Sequence, residues 1–484
     1  MKNTMNPTTP TSWSRLLLYG SGEGANSLVM NGLAGFAMLY YTEALGLSPA
    51  LAGLALSLSV FWEGLTEPAM GHISDRTRSR FGNRHPWMLV GGLMMALCFY
   101  LVWAVPEPMR ASQNLLFGYL LTVNLLLRTG LTMFFIPYVA LGFEVSPSYD
   151  GRSRLQGVRQ ICNMAANFAG PALAWSVFFR DTAGPTGPVL GTSNPANFAL
   201  MGATFSIAIL VLVAVTLLGT RHALRDTRAL PPSGDGALRH FLIELKTTVL
   251  DHNAVWLFGF TFLVCAGMVL VSSLQMYVYV YFMSFTPEQK SLAHGSTMIG
   301  MACGAALSMW AAQRFDKKGT VLLGAGISVA ANALLGLIFL PGWVSTGGTG
   351  SVVIFVVLHA AYWFGNGLVL PVATAMVGDA AELRRVRTGR NHDGGYAAVF
   401  SLALRLAVAA SFAASGWILT LIGFEAQTGG GARPAAEVIW RLGAVTLLSG
   451  PVLCVAAMLV VMRYPLTRQR FDELRRAAVA AVKP

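Results

Sequence analysis

Charge is what this chain has least of. Only 12% of its 484 residues are Asp, Glu, Lys or Arg, about half the roughly 25% of a soluble domain. The mean hydropathy is +0.57, so too little polar material exists to cover a soluble core, and that class is excluded. Cysteine is scarce as well. Cys98, Cys162, Cys265, Cys303 and Cys454 all fall in apolar runs and none has metal-ligand spacing, which sets aside a disulfide framework and a zinc site. Gly347, Gly348 and Gly350 lack the following lysine of a phosphate loop, so no nucleotide is expected. No nucleophile–base pair stands out, and no enzyme is expected. The net charge of +12 reads as a topology signal rather than a nucleic-acid footprint. Residues 1–12 are polar and the first apolar segment is too long for a signal core, so no cleavable leader is expected.

What the chain has in abundance is apolar runs of about 20 residues, the length that crosses a bilayer. They predict an all-α membrane protein with twelve transmembrane helices, at roughly 15–44, 48–74, 86–105, 113–144, 156–180, 198–218, 255–285, 291–313, 320–341, 350–381, 395–424 and 437–463. Arginine and lysine crowd the loops after every second span, in RTRSR, GRSR, RHALRDTR, RFDKK and RRVRTGR. The opposite loops hold little beyond Arg110, Arg180, Lys290 and Arg433. That asymmetry predicts a multi-pass inner-membrane protein with both termini cytoplasmic. Pro231, Pro232, Ser233 and Gly234 punctuate a long middle segment. The expected organisation is a six-helix bundle at 1–218, a cytoplasmic linker at 219–254, a second bundle at 255–463 and a tail at 464–484. FLIELKTTVL in the linker and the tail FDELRRAAVAAVKP read as solvated or interfacial helices. The Gly-rich stretches at 347–350 and 428–434 read as flexible outer loops. The halves look duplicated: 238 positions separate Arg76 from Arg314 and 234 separate Pro137 from Pro371. Two pseudo-symmetric bundles around a midplane site are a transporter plan.

Chemistry concentrates in WEGLTEPAMGHISDRTRSRFGNRHPW, residues 62–87. Glu63 and Glu67 are one helical turn apart on one face of a membrane span. A carboxylate there needs a proton, a cation or a basic partner. Two of them can hold Na⁺ or take up H⁺, and an arginine could instead neutralise the pair. Arg128 in span 4, Arg159 in span 5 and Arg405 in span 11 are buried cations by position, able to pair with these acids or to hold an anionic substrate group. Arg128 could neutralise either Glu23 or Glu63. Trp62, Tyr40, Tyr138, Tyr362 and Trp363 are candidate cavity aromatics or plain packing. Trp363 beside Asn366 is the preferred pair, because polar and aromatic groups meet there. His359 and His392 carry no assignment.

Gly71, Asp75, Arg76, Gly82 and Arg84 spell a G-x-x-x-D-R loop with a later G-x-R. It resembles the signature loop of the major facilitator superfamily. The insertion DRTRSRFGNRHPW, together with YYTEALGLS, IPYVALGFE, Arg159 and DAAELRRVRTGRNHDGG, is similar to the melibiose-carrier-like glycoside–pentoside–hexuronide:cation symporters over all twelve spans. The resemblance implies that Glu63 and Glu67 take the place of two cation-binding aspartates, with Asn26 and Ser27 of span 1 beside them. It implies substrate contacts at Arg159 and at Arg405, which aligns with a membrane-buried lysine. It also implies a cytoplasmic gate of Asp75, Arg76, Arg84, Glu144, Asp379 and Glu382. Ser27, Phe135, Val139 and Leu370 depart from the family's sugar-binding groups.

The expected function is a cation-coupled (H⁺ or Na⁺) secondary transporter of a sugar, glycoside, uronide or related organic solute, working by alternating access without a cofactor. Arg128, Arg159 and Arg405 favour an acidic substrate. Expected partners are the small-molecule substrate and membrane lipid, with the chain a monomer. Two alternatives stand beside this reading: an amphiphile or lysolipid carrier, suggested by Phe135, Val139 and Leu370, and a non-transporting sensor or assembly protein on the same scaffold.

Overall fold

A hydroxyl or amide cap followed by proline starts several of the long helices. Ser48, Asn194 and Thr286 each accept a backbone N–H of the first turn, and each precedes a proline whose missing N–H costs nothing at that position. The computed structural model describes residues 12–146, 149–184, 187–221, 248, 251–388, 393–424, 434–465 and 467–482. Pro231 to Gly234, FLIELKTTVL apart from Thr248, His392 and residues 428–433 lie outside them. The chain divides into two compact units.

The first unit holds α1 (Trp13–Gly32), α2 (Pro49–Arg76), α3 (His85–Trp103), α4 (Gln113–Val145), α5 (Tyr149–Leu173) and α6 (Pro195–Thr220). α1 runs on through two π-helical turns, Leu33–Ala37 and Tyr40–Ala44, and α5 through a third, Ala174–Phe178. A two-stranded hairpin, β1 (Thr182–Gly184) and β2 (Gly187–Val189), interrupts the expected all-helical pattern before α6. α1 packs on α5 and α6, α4 on α2 and α3, and α3 on α6. Phe36, Tyr40, Trp103, Trp175, Phe179 and Phe198 form a continuous aromatic core. Leu65, Leu93, Leu97 and Leu200, all more than half exposed, present an apolar surface suited to lipid.

The second unit holds α7 (His252–Tyr277, with a π turn at Val278–Phe282), α8 (Pro287–Phe339), α9 (Thr349–Thr388), α10 (Asp393–Leu421), α11 (Ala436–Met462) and the tail helix α12 (Arg468–Val482). α8 packs along α9, and glycines set how closely. A Cβ on Gly304 would stand 2.1 Å from the Phe364 carbonyl oxygen, and one on Gly365 2.3 Å from that of Gly324. Small residues let the two backbones approach to a distance larger side chains forbid. The core gathers Phe258, Tyr362, Trp363, Met376 and Tyr396, with Phe471 and Leu474 of α12 packed against it.

Nine helices among the described residues are long and apolar enough to cross a membrane. α8 supplies two spans, because its helix breaks at Asp316 (φ 63°, ψ 162°). α1 and α5, whose polar residues lower their hydropathy, supply the remaining two of the expected twelve. The basic segments depart from the loops read in the sequence. GRSR lies inside α5, which begins at Tyr149 rather than near 156, and RRVRT continues α9 to Thr388. RFDKK is helical apart from Asp316, whose carboxylate accepts the Lys317 N–H at 2.6 Å and restarts the helix.

One turn occurs twice. In the first unit, Leu45 N and Leu47 N donate to Tyr40 O and Tyr41 O, Gly46 takes φ 70°, and Ser48-Pro49 starts α2. In the second, Met283 N and Phe285 N donate to Val278 O and Tyr279 O, Ser284 takes φ 52°, and Thr286-Pro287 starts α8.

Candidate functional site

On α2 the face that meets α4 carries Trp62, Glu63 and Thr66, and α4 answers with Thr129, Arg128 and Thr132. Trp62 Nε1 donates to Thr129 Oγ1 at 2.9 Å, and the Thr66 and Thr132 hydroxyls lie 3.4 Å apart. Between them Arg128 Nη1 donates to Glu63 Oε2 at 2.6 Å. The side chains are 3% and 4% exposed, so this is a desolvated ion pair. It sits about 24 Å along α4 from Glu144, at 1.5 Å per residue. Met30 Sδ of α1 lies 3.2 Å from the same Nη1, while Arg128 Nε is buried with no hydrogen-bond partner. Of the two acids the sequence left open for Arg128, the structure selects Glu63. Glu67, one turn along α2, is half-buried.

A second pair joins α1 to α5. Arg159 Nε and Nη2 both donate to Glu23 Oε2, at 2.9 and 2.6 Å. Asn26 and Asn163 offer their amide N–H groups to Glu23 Oε1, each at 3.4 Å. Residues 23, 27 and 31 of α1 face residues 159, 163 and 167 of α5, so the polar contacts continue up the two helices. Ser27 Oγ donates to Asn167 Oδ1 at 2.8 Å and to Asn163 O at 3.1 Å, and Asn31 donates to Asn167 Oδ1. The Arg159 guanidinium rests 5.3 Å from the Tyr138 ring, which stacks on Tyr19 at 4.5 Å. A cavity of about 20 Å³, room for one water, opens beside Arg159, Tyr19, Val139 and Gln156.

These contacts bear on two expectations. Asn26 and Ser27 direct their hydrogen bonds to Glu23 and to Asn163 and Asn167 of α5, not to Glu63 and Glu67. Arg128 and Arg159, read in the sequence as candidates for an acidic substrate, each lie against a carboxylate, Glu63 and Glu23. Tyr138 is buried, stacked on Tyr19 and Phe134. Trp363 and Asn366 are buried as well: Trp363 Nε1 donates to His359 Nε2 at 3.3 Å, and Asn366 Nδ2 to Tyr362 O at 3.0 Å. His359, which the sequence left unassigned, is the hub there, with Gln275 Oε1 of α7 3.0 Å from its Nε2. Arg405 is half-buried on α10.

At the ends of α2 and α4 that carry the basic segments, Arg84 bridges two acids, with Nε 3.1 Å from Glu144 and Nη2 3.7 Å from Asp75. The second unit repeats the device with different residues: Lys317 Nζ, just past the break in α8, is 2.5 Å from Asp379 on α9. Asp379 therefore pairs within its own unit. Arg76 ends α2 on the surface, and Glu382 lies half-buried on α9 one turn beyond Asp379. Alongside, Asp251 takes a hydrogen bond from Tyr396 and lies 3.7 Å from Arg384. Reading the sequence missed Lys317, Asp251 and the Glu23–Arg159 pair. The i, i+4 spacing of polar residues 23, 27, 31 and 159, 163, 167 was the available signal for the last.

The fold matches that of solved major facilitator transporters. The nucleoside transporter NupG aligns with a TM-score of 0.61 at 12% identity, covering 93% of this chain and 99% of that one. A D-xylose–proton symporter aligns with a TM-score of 0.56 at 13% identity, covering 91% and 95%. Residues 18–468 match the MFS/sugar transport protein family, and the chain belongs to that family. Curated relatives include the glucuronide carrier protein homolog of Escherichia coli, 24% identical over 96% of this chain and 94% of that one. The inner membrane symporter YicJ of the same organism is 26% identical over 93% and 91%. The sodium-dependent lysophosphatidylcholine symporter 1 of Mus musculus is 24% identical over 66% and 63%. The chain is an integral membrane protein that carries a small-molecule solute, and it is a transporter rather than an enzyme.

Proposed function

We propose that this transporter is a cation-coupled symporter for a neutral, hydroxylated solute of the glycoside class, with Glu63 and Glu67 as the cation site. Supporting the coupling is the position of Glu63: a fully buried carboxylate mid-way along a membrane helix, with a second carboxylate one turn away. Such groups are expensive in a bilayer and mark ion pathways. Relatives named as glycoside/cation and sodium-dependent symporters support it further. Supporting the neutral substrate is the mutual neutralisation of Glu23 and Arg159. That region is lined by the amides and hydroxyl of Asn26, Asn31, Asn163, Asn167 and Ser27, bonded to one another and to Glu23, which would exchange those bonds for the paired donors and acceptors of a polyol. Asp75, Arg76, Arg84 and Glu144 in one unit, and Lys317, Asp379 and Glu382 in the other, act as charged clamps at the cytoplasmic ends. The orientation rests on the basic residues gathered there.

The test is uptake into membrane vesicles under imposed proton or sodium gradients. Glu63→Gln and Glu67→Gln should each abolish gradient-driven accumulation while leaving expression and exchange of solute down its gradient. Accumulation that persists in both variants sinks the cation site.

A further inference from the structure

Arg128 belongs to no part of the mechanism so far, yet it is one of the most deeply buried charges in the protein. We propose that its guanidinium is a resident occupant of the cation site: it holds the place beside Glu63 that a sodium ion would take, so this carrier does not bind sodium there and couples instead to protons. The inference rests on Glu63 and Glu67 being that site.

Three observations carry it. The Nη1–Oε2 distance of 2.6 Å is a close charge-assisted hydrogen bond, so the oxygen a metal ion would need is already engaged by a monovalent cation. A hard cation requires several oxygen ligands, and the contacts seen at Arg128 Nη1 offer one, from Glu63. Beyond Glu63, the atom that touches Nη1 is the thioether sulfur of Met30 on α1, and the Thr66 hydroxyl donates to the Glu63 backbone carbonyl at 3.1 Å. Finally, both members are sealed from water, so a sodium ion entering beside the guanidinium would meet an unscreened like charge. A proton avoids that conflict, because it needs a single carboxylate oxygen and no ligand shell. Among the described residues of its own unit, the titratable and charged groups around it include Glu63 and Glu67 on α2, Arg128 on α4 and Tyr41, whose Oη accepts from Asn124 one turn from Arg128. A carboxylate pair without an arginine would suit sodium; the arginine changes the ion.

The probe is sodium alone, so no substrate need be known. Purified full-length protein is melted in sodium chloride and in choline chloride, and ²²Na⁺ binding is measured directly. Wild type should show the same melting midpoint in both salts and no saturable ²²Na⁺ binding. Arg128→Gln should gain sodium affinity by at least tenfold, seen as a sodium-specific rise in melting midpoint, and adding Glu63→Gln should remove it. Arg128→Lys keeps a cation in place and should stay insensitive. Sodium-specific stabilisation of wild type overturns the proposal, and so does a folded Arg128→Gln that gains none. If Arg128→Gln does not fold, wild type and Arg128→Lys decide it, since sodium binding by either refutes resident occupancy and its absence in both upholds it. Failure of the underlying site looks different: proton-driven uptake would then survive both Glu63→Gln and Glu67→Gln.

Discussion

Glu23→Gln removes one charge and almost no volume, so its consequences follow from electrostatics. In the native protein Arg159 Nε and Nη2 donate to Glu23 Oε2 and Nη1 donates to Gln156 Oε1, and the Arg159 and Glu23 side chains are 13% and 10% exposed. With glutamine at position 23 the guanidinium keeps a hydrogen-bond acceptor but loses its counter-charge. A solute carboxylate arriving about 4 Å away would gain about 4 kcal/mol at an effective dielectric near 20. Water reaching the partly exposed pair reduces that, and a residual of about 1.4 kcal/mol corresponds to tenfold. The assay is competition in vesicles between a neutral glycoside and the uronide that differs from it only at the carboxylate. Wild type should prefer the neutral member, and Glu23→Gln should shift the ratio toward the uronide by about tenfold, less at high salt. If wild type already favours the uronide, or if the ratio stays put in a variant that still transports, Arg159 is not neutralised at the substrate and the reading fails.

Other consequences are quicker to state. Gly304→Ala drives a methyl against the Phe364 carbonyl and should cost about 1–3 kcal/mol, whereas Gly326→Ala meets nothing within 4 Å and should be neutral or stabilising by up to about 1 kcal/mol; equal melting midpoints would show that α8 and α9 do not touch as described. Arg84→Ala and Lys317→Ala each remove the cation of one clamp. Both should speed labelling of a cysteine placed at Ser79 by an impermeant maleimide in inside-out vesicles, in a background without native cysteines, and a parental labelling rate would exclude a gating role. Exchanging the partners, Lys317→Asp with Asp379→Lys, should restore much of what either change alone removes, and a double variant no better than its parents would mean that the pair is incidental.

Which parts were legible in advance follows from range. Span positions come from stretches of about 20 apolar residues, a local property, and α2, α3, α6 and α11 begin and end within a few residues of the expectation. Helix ends in basic segments were misjudged at α5 and α9, because arginine is a good helix former and charge alone does not stop a helix. Pairing is not local. Glu63 and Arg128 are 65 positions apart and Glu23 and Arg159 136. Only the packing of α2 on α4 and of α1 on α5 determines which acid meets which arginine.

The duplication was visible in the loops, but its depth was not. Tyr40-Tyr41 and Val278-Tyr279 share little side-chain chemistry beyond one tyrosine, and Gly46 is matched by a serine, yet the backbone makes the same two hydrogen bonds, the same positive φ and the same hydroxyl-proline start. A serine held at φ 52° is strained where a glycine is not, so the second copy keeps a conformation its residue disfavours. The clamps follow the same logic: Arg84 with Glu144 and Lys317 with Asp379 are different residues at equivalent ends. The ion pair does not follow it. At the 234-residue offset the second unit has Tyr362, not an arginine, at the place on α9 that corresponds to Arg128 on α4, and its hydroxyl donates to the Gly267 backbone carbonyl rather than to an acid. What both units kept is the geometry a helix bundle needs in order to move as a body. Among the described residues the first unit pairs Glu63 with Arg128 mid-way along its helices while the second carries Arg405 on α10, and a coupling ion needs its carboxylate site once, not twice.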